Sequence, residues 1–458
     1  MKVMSGLDAR FLYSETKTAH MHTMKVVVVD VSGRSEPLSP EGIPAIIGGR
    51  LQRLPVLRRR VIPAPYGFGN PIVVDDPDFD LSRHLRSAVA AAPGGQRELD
   101  EVVAAIATVA LPRDRPLWEL TVVEGLAEDR IAFVMKLHHA LADGVASVAM
   151  LENAFVADEG DAVVEAFRPQ ALPTKRQLYR ASAASAAQAV RTVPRVVRQT
   201  VSGARHAHAV KRTVSAMLPG PFAGPRTPFN RALTADRTFA GITVPLDGLL
   251  AAKEAAGASL NDTFLALCGG GIRRYLERLG QLPDRSLVAS VPLATRIQRH
   301  RLAGNHVDNL FLPVRNDLVD PIERIRAIHD SSVAARKVRE EFGPDLFEWR
   351  SGLVPAVVHG LLPRAWGSTH LANRLRPPLN LVASCVRGPR RRLGVDGGVV
   401  TSLFSAGPIL EGIGLNITAW TYADVMYISV LGCSATLPDP WVLGGDLEDE
   451  VATWASGP

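Results

Sequence analysis

The chain has 458 residues, of which 47% are hydrophobic and 21% charged, a balance that excludes a disordered protein. Three distant cysteines, Cys268, Cys385 and Cys433, argue against a disulfide framework or a zinc site and indicate a reducing cytoplasm. The net charge of +6 makes nucleic acid a first guess for a partner. No secretory signal is visible, and no apolar run approaches the ~20 residues of a membrane-spanning helix.

The first part of the chain, residues 1–167, alternates between strand and helix patterns. The predicted strands are 26–31, 120–125 and 130–137, and the predicted helices are 44–54, 99–111 and 144–155. The strand 130–137 is apolar on both faces for most of its length, which is typical of a buried central strand. We therefore expect an α/β domain here.

Residues 168–235 form a basic segment. The stretch 166–235 holds twelve Lys or Arg residues and no Asp or Glu. Two basic helices are predicted, 176–191 and 194–218, and Pro194 argues against one continuous helix. The segment is interpreted either as a solvated linker or as helices that dock on anionic lipid. It has few aromatics and no recognisable nucleic-acid module, so we expect no nucleic-acid partner.

From residue 236 to 458 the α/β alternation resumes. The predicted helices are 246–256, 261–279, 320–340 and 446–455, and the predicted strands are 287–293, 310–314, 379–385, 399–405, 415–422 and 425–432. The chain thus has two α/β halves of similar size on either side of the basic segment.

The strongest local signal is the run from His138-His139 to Asp143-Gly144, between a buried strand and a helix. A His held at the end of a strand can take a proton from an alcohol near neutral pH, so His139 is the candidate general base. Asp143 can cap the next helix or hold an arginine that stiffens the loop. Both roles would position the His without proton transfer.

Other interpretations of this run were weighed. The two His could be a structural hydrogen-bonded pair at a strand end. A metal site is not predicted, because the sequence has no HExxH and no acidic or Cys cluster near the pair. A serine nucleophile is not predicted either, because no G-x-S-x-G stretch is present. Direct attack by an activated hydroxyl is therefore favoured.

The HHxxxDG run is similar to that of coenzyme A-dependent acyltransferases and condensation domains. The chain resembles one branch from end to end, the wax ester synthase/acyl-CoA:diacylglycerol acyltransferases abundant in mycobacteria. The stretches that carry the resemblance are Leu7-Asp8-Ala9-Arg10-Phe11-Leu12, the acidic run from Asp75 to His84, Pro116-Leu117-Trp118, Asn261-Asp262, Gly407-Pro408 and Gly414-Leu415-Asn416-Ile417.

The resemblance implies an α/β fold of two pseudo-symmetric, chloramphenicol acetyltransferase-like domains. Each would be a mixed sheet with helices, and an active-site tunnel would lie at their interface. It implies an acyl-CoA-dependent O-acyltransferase that makes triacylglycerol from diacylglycerol, or wax esters from long-chain alcohols. Acyl-CoA would be a substrate, with no cofactor. The protein would be cytoplasmic and peripheral on the inner membrane face or on lipid droplets.

The same resemblance gives roles to single residues. His139 would be the base, His138 supportive, and Asp143 and Gly144 structural. Asn261 is a candidate oxyanion donor, although Asn261 or Asp262 could simply cap a helix. Pro116, Leu117 and Trp118, with Asp262, are candidates for the substrate site, and packing is the alternative for Trp118. Arg58 is a candidate partner of Asp143, with a plain basic surface as the alternative.

One stretch departs from the family pattern. Where members often carry Asn-Val-Pro-Gly-Pro, this chain has Cys385-Val386-Arg387-Gly388-Pro389. An altered substrate preference or weak activity is therefore an open expectation. Two rival functions also stay open: a related enzyme that takes its acyl group from a carrier protein, and a lipid-surface scaffold without activity.

Overall fold

The computed structural model describes residues 1–34, 42–67, 69–155, 171–214, 217–220, 222–294, 300–341, 356–389 and 391–455. The described helices are α1 (Gly6–Ser14), α2 (Ile43–Leu51), α3 (Gln96–Thr108), α4 (Gly144–Ala154), α5 (Lys175–Val214), α6 (Leu246–Ala256), α7 (Leu260–Arg278), α8 (Pro321–Glu340), α9 (Ala356–Ser368) and α10 (Pro440–Ala455). The described strands are β1 (Lys2–Val3), β2 (His22–Asp30), β3 (Arg59–Ile62), β4 (Ile72–Asp75), β5 (Leu85–Val89), β6 (Trp118–Leu126), β7 (Arg130–His138), β8 (Arg237–Pro245), β9 (Val288–Ala294), β10 (Val307–Pro313), β11 (Leu381–Arg387), β12 (Gly394–Val395), β13 (Gly398–Ala406), β14 (Leu415–Tyr422) and β15 (Val425–Cys433).

The first six-stranded sheet has the order β12-β13-β2-β7-β6-β5. Its neighbouring strands are antiparallel except β5 and β6, which run parallel. β2 and β7 lie in the middle, and eight of the nine residues of β2 are buried. Residues buried on both faces of a strand need cover on both sides of the sheet. Six of the nine residues of β7 are also buried, which confirms the prediction of a buried strand before the His pair.

The second six-stranded sheet has the order β10-β9-β11-β14-β15-β8. β11 runs parallel to both β9 and β14, so this sheet is mixed like the first. α7 packs on it with an almost wholly buried surface that includes Phe264, Leu265 and Leu267. The predicted two-halved α/β fold is confirmed.

The two halves are not independent along the chain. β12 and β13, which lie within the predicted C-terminal domain, belong to the first sheet, where β13 pairs with β2 from Val399↔Asp30 to Ala406↔Met24. Trp420 and Tyr427 of the second sheet also join the core of the first half. Periodicity predicted the strand at 399–405, but it carries no information about which sheet a strand enters.

The basic segment differs from its prediction. α5 is one helix of 40 residues with Pro194 inside it, so the expected interruption into two helices is wrong. Proline removes one hydrogen bond and costs about 3 kcal/mol in a helix interior. The alanine-rich turns before it favour helix strongly, and the buried Ser182 and Val196 fix the helix to the body on both sides. In the described part of the chain, every helix is too short or too polar to cross a bilayer.

Candidate active site

The HHxxxDG run lies where the central strand of the first sheet ends. His138 is the last residue of β7, and α4 begins at Gly144. Asp143 is the N-cap of α4, and its side chain accepts a hydrogen bond from the backbone N–H of Ala146 at 2.9 Å. His139 donates its backbone N–H to the carbonyl of Met21 at 2.9 Å. The loop is therefore held at both ends.

The orientation of His139 is set by Asn305. The amide nitrogen Nδ2 of Asn305 donates to Asp8 Oδ1 at 2.8 Å and to the carbonyl of His139 at 2.9 Å. The amide oxygen Oδ1 therefore faces His139 Nδ1, at 3.0 Å. An amide oxygen only accepts, so Nδ1 carries the proton of the neutral ring. Nε2 is left with its lone pair, which is the atom a general base needs.

The environment of His139 keeps the ring neutral. The ring stacks on Phe11 of α1, with 4.1 Å between centroids and 10° between planes. Burial, assisted by the positive charges of Lys25 and Arg10, lowers the pKa of His139 to about 4. The imidazole is thus unprotonated at neutral pH, as a base must be before it takes a proton.

Lys25 is a second buried ionisable group beside the site. Its Nζ donates to Ser405 Oγ at 2.8 Å and lies 5.3 Å from the centroid of the Trp420 ring. Burial lowers the pKa of Lys25 to about 7. The sequence analysis missed this residue, because a lysine in an apolar strand carries no motif of its own.

The partner of Asp143 is Arg301, at 2.6 Å between Asp143 Oδ2 and Arg301 Nη2. The backbone N–H of His306 donates to the same oxygen at 2.8 Å. The expected pair of Arg58 with Asp143 is therefore wrong. Arg58 is buried just before β3, and its carbonyl accepts from the backbone N–H of Asp76. The chemistry of the prediction holds, but the arginine comes from the other half of the chain.

Gly144 packs closely on the second sheet. A Cβ atom on Gly144 would lie 3.0 Å from Cγ2 of Val386, on β11 of the second sheet. A larger residue would require the Val386 side chain to shift by a few tenths of an ångström. This contact also places the altered stretch that begins at Cys385 beside the HHxxxDG loop.

His138 points away from the reaction site. Its Nδ1 accepts from the N–H of Ala140 at 3.1 Å, and its Nε2 lies 3.6 Å from Glu15 Oε2. Burial lowers the pKa of His138 well below its ordinary value. This placement supports a structural part for His138. Within the described ranges, no trio of His, Cys, Asp or Glu suited to a metal ion was found.

The stretch Pro116-Leu117-Trp118 stabilises the end of β7, the strand that carries the His pair. The carbonyl of Leu117 accepts from the N–H of His138 at 3.0 Å, and Trp118 pairs with Leu137 across β6 and β7. Trp118 donates its indole N–H to Leu57 O at 2.6 Å and stacks on His84, with 4.4 Å between ring centroids. Trp118 thus packs between β6 and the segments that contain Leu57 and His84, and it also lines a cavity.

Two mostly apolar cavities are lined by residues that neighbour His139 in sequence or by hydrogen bond. One, of about 60 Å³, lies between the first sheet and helices α2 and α4, and its lining includes Lys25, Trp118, Leu137 and Ser147. The other, of about 320 Å³, is lined by Met21, by Trp366 of α9 and by other apolar residues. Met21 accepts the backbone hydrogen bond of His139. The arrangement suits two substrates with hydrocarbon parts.

The Asn261-Asp262 stretch begins α7. Asp262 forms a reciprocal capping box with Ser259 and accepts from Ser332 Oγ at 2.6 Å and His329 Nδ1 at 2.9 Å. Asn261 is half-buried at the second position of the helix. The capping alternative is thus confirmed for Asp262. Among the described residues, no hydrogen bond or ion pair joins Asn261 to the HHxxxDG loop, so its role as an oxyanion donor stays a prediction.

The site also uses residues whose roles the sequence analysis missed. Asp8 and Phe11 lie in the stretch that carried the resemblance, but no chemistry was assigned to them. Arg301 and Asn305 lie in no motif that was recognised, and Asn305 is 166 residues from His139 along the chain. Contacts of that separation have no local signal in one sequence.

Comparison with known proteins places this geometry in a family. The catalytic-domain model of the wax ester synthase/diacylglycerol acyltransferases matches residues 4–264, and the C-terminal domain model matches residues 303–453. A Mycobacterium tuberculosis protein named as a candidate diacylglycerol O-acyltransferase, Rv0221, is 38% identical over 441 residues, which is 96% of this chain and 93% of that protein. A second, Rv3087, is 34% identical over 456 residues, covering 97% and 95%.

Solved structures show the same architecture. The wax ester synthase/diacylglycerol acyltransferase from Marinobacter aquaeolei VT8 aligns with a TM-score of 0.67 at 23% identity, covering 99% of each chain. The first condensation domain of the calcium-dependent antibiotic synthetase aligns with a TM-score of 0.59 at 18% identity, covering 100% of this chain and 97% of that one. Both likenesses support the expected fold.

Proposed function

The chain belongs to the wax ester synthase/diacylglycerol acyltransferase family, and from that premise we propose how it transfers an acyl group to diacylglycerol or to a long-chain alcohol. It is an acyltransferase. The observation that supports the mechanism is the hydrogen bond between His139 Nδ1 and Asn305 Oδ1, which leaves Nε2 as the base.

The reaction is a direct transfer. The acceptor hydroxyl oxygen attacks the thioester carbonyl carbon while His139 Nε2 takes the hydroxyl proton. The carbon–sulfur bond of the tetrahedral intermediate then breaks, and the imidazolium returns the proton to the thiolate. The products are an ester and free coenzyme A, and no cofactor takes part. We assign stabilisation of the oxyanion to Asn261, a proposal that an Asn261→Ala variant tests through kcat.

The mostly apolar linings of the two cavities suit hydrocarbon groups. We assign the acyl chain to the cavity that includes Trp118 and Ser147, because its lining also includes Leu137, two residues before the base. The acceptor is assigned to the larger cavity beside Met21 and Trp366. A hydroxyl and a thioester brought from these two sides would meet at His139.

The test incubates the purified protein with labelled palmitoyl-CoA and adds diacylglycerol, hexadecanol or no acceptor. We expect labelled neutral lipid with an acceptor, and a drop of about 10²- to 10⁴-fold in His139→Ala. The exposed His300 provides a matched control, His300→Ala, that should keep full activity. Unchanged turnover in His139→Ala would refute the mechanism. Turnover only with an acyl carrier protein would refute coenzyme A as the donor.

We also propose that the protein works from the cytoplasmic face of a membrane or from a lipid droplet through α5. An exposed valine stripe runs along this helix: Val190 is 69% exposed, Val193 41%, Val197 54% and Val201 46%. Exposed arginines, including Arg191 and Arg198, lie beside it. An apolar stripe flanked by cations suits an interface of anionic lipid.

Flotation with vesicles of anionic phospholipid tests this docking. Arg191→Gln/Arg198→Gln should weaken flotation, and high salt should weaken it too. Val193→Ser/Val197→Ser should weaken it even at high salt, because the apolar contribution is not screened. The exposed Arg285→Gln is the control and should float like the parent. Equal flotation of all four proteins would exclude α5 as the docking helix.

A further inference from the structure

A cationic pocket lies beside the loop that follows β11, and no role has yet been given to it. The pocket has a volume of about 500 Å³. Its cations are Lys253 of α6, Arg387 at the end of β11, and Arg391 and Arg392 of the following loop. We propose that this pocket, called here the β11 pocket, binds the phosphates of the coenzyme A part of the donor. The inference rests on the proposed function.

The four cations of the β11 pocket have no bonded partner in the part of the protein that the structure describes. Between described residues, no hydrogen bond or ion pair engages the side chains of Lys253, Arg387, Arg391 or Arg392. One carboxylate, that of Asp424, also lines the pocket and partly offsets the four cations. The remaining positive charge calls for a ligand with several negative charges. Guanidinium groups bind phosphate oxygens in pairs and so suit it well.

The pocket is not purely polar. Leu246 and Leu250 of α6, Leu260 at the start of α7 and Tyr422 of β14 line it as well. Coenzyme A carries an adenine ring beside its phosphates, and an apolar wall next to arginines can hold both parts. A single inorganic phosphate would leave that wall uncovered.

The β11 pocket adjoins residues that contact the HHxxxDG loop. Val386, next to Arg387, is the residue that packs on Gly144 of the HHxxxDG loop. Gly388 borders Trp420, whose ring lies near Lys25 Nζ beside the site. The β11 pocket is thus bordered by the end of the strand that packs on the HHxxxDG loop. A nucleotide held there leaves its pantetheine arm free to carry the thioester inward.

Arg387 gives the inference a feature specific to this chain. It stands where the resembling stretch of the family often has proline, so this chain has a cation that such members lack. The departure noted at 385–389 would then strengthen donor binding.

Binding of 3′,5′-ADP to the full-length His139→Ala protein, followed by calorimetry, tests the pocket without turnover. We expect Arg391→Gln/Arg392→Gln to weaken this binding about tenfold or more, since charge-assisted hydrogen bonds to phosphate are lost. In protein with intact His139, the same pair should raise the KM for palmitoyl-CoA by a similar factor. The kcat and the KM for palmitoyl-pantetheine, which has no phosphate, should not change.

Two further variants sharpen the result. Asp424→Asn removes the opposing charge and should tighten 3′,5′-ADP binding; asparagine tolerates the left-handed backbone at this position, where φ is 64°. Arg285→Gln, remote from the pocket along the chain and exposed, should have no effect.

Several outcomes would overturn the inference. The first is equal 3′,5′-ADP affinity in the parent and in Arg391→Gln/Arg392→Gln. The second is equal use of palmitoyl-pantetheine and palmitoyl-CoA by the parent. The third is a loss of binding to anionic vesicles in the arginine variant without any loss of 3′,5′-ADP affinity. Failure of every lipid acceptor would refute the proposed function instead, and the calorimetry would still decide the pocket.

Discussion

Asp143 and Asp262 are two buried carboxylates at the starts of helices, one in each half of the molecule. Asp143 caps α4 and is bound by Arg301 and the N–H of His306, which belong to the other half. Asp262 caps α7, and its partners Ser259, His329 and Ser332 all belong to its own half. The same local device therefore serves two purposes. One carboxylate couples the halves around the base, and the other only fixes helices.

The largest expected effect comes from Asp143→Ala. Removing one partner of a buried ion pair leaves Arg301 uncompensated and costs about 3–5 kcal/mol. The loop that holds His139 also loses its link to the second half, so activity should fall with stability. Urea unfolding and palmitoyl-CoA turnover measure the two losses. Arg301→Met should repeat both, and a stable, fully active Asp143→Ala would break the comparison.

Asn305→Ala should have the next largest effect. The ring of His139 loses its acceptor at Nδ1, so the proton can move to Nε2 and block the base. We expect kcat to fall roughly 10- to 100-fold, by analogy with other residues that orient a histidine. Nitrogen NMR of the His139 ring should show Nδ1–H in the parent and a mixed tautomer in the variant. An unchanged spectrum would contradict the positioning role.

Lys25→Met tests the electrostatics of the site. The folded protein holds the pKa of Lys25 near 7, below the ordinary value of 10.5, because the side chain is buried. Between these values the unfolded chain binds more protons, so the parent should gain stability as the pH rises from 7 to 10.5. The variant should lack that rise and be more stable at pH 7. If the free energy of unfolding depended on pH in the same way in the parent and in Lys25→Met, the lowered pKa of Lys25 would be refuted.

Asp262→Asn should have the smallest effect. Burial raises the pKa of Asp262, but hydrogen bonds from Ser332, His329 and Ser259 outweigh it and leave the pKa below its ordinary value. The ionised form therefore stabilises the fold above about pH 4, and this contribution is lost as the pH falls through the folded pKa. We expect a loss of about 1–2 kcal/mol at pH 7 with kcat unchanged. A large loss of kcat would show that Asp262 contributes to catalysis and does not only fix helices.

The sequence predicted the local parts of the site and missed the distant ones. The apolar run of β7 and the HHxxxDG spacing located His139 and Asp143 because both signals lie within one strand–loop–helix unit. Arg301 and Asn305 reach the site through tertiary packing, which periodicity does not encode. The helix α5 was misjudged because one proline was given more weight than the alanines around it.

The crossing of β13 into the first sheet has a consequence for biosynthesis. β2 lies between β7 and β13, so its outer edge has no neighbour until residue 406 has been made. A nascent chain that stalls earlier would expose an apolar strand edge ready to pair with another molecule. Such a chain needs protection on the ribosome, and a truncated catalytic fragment should aggregate rather than work.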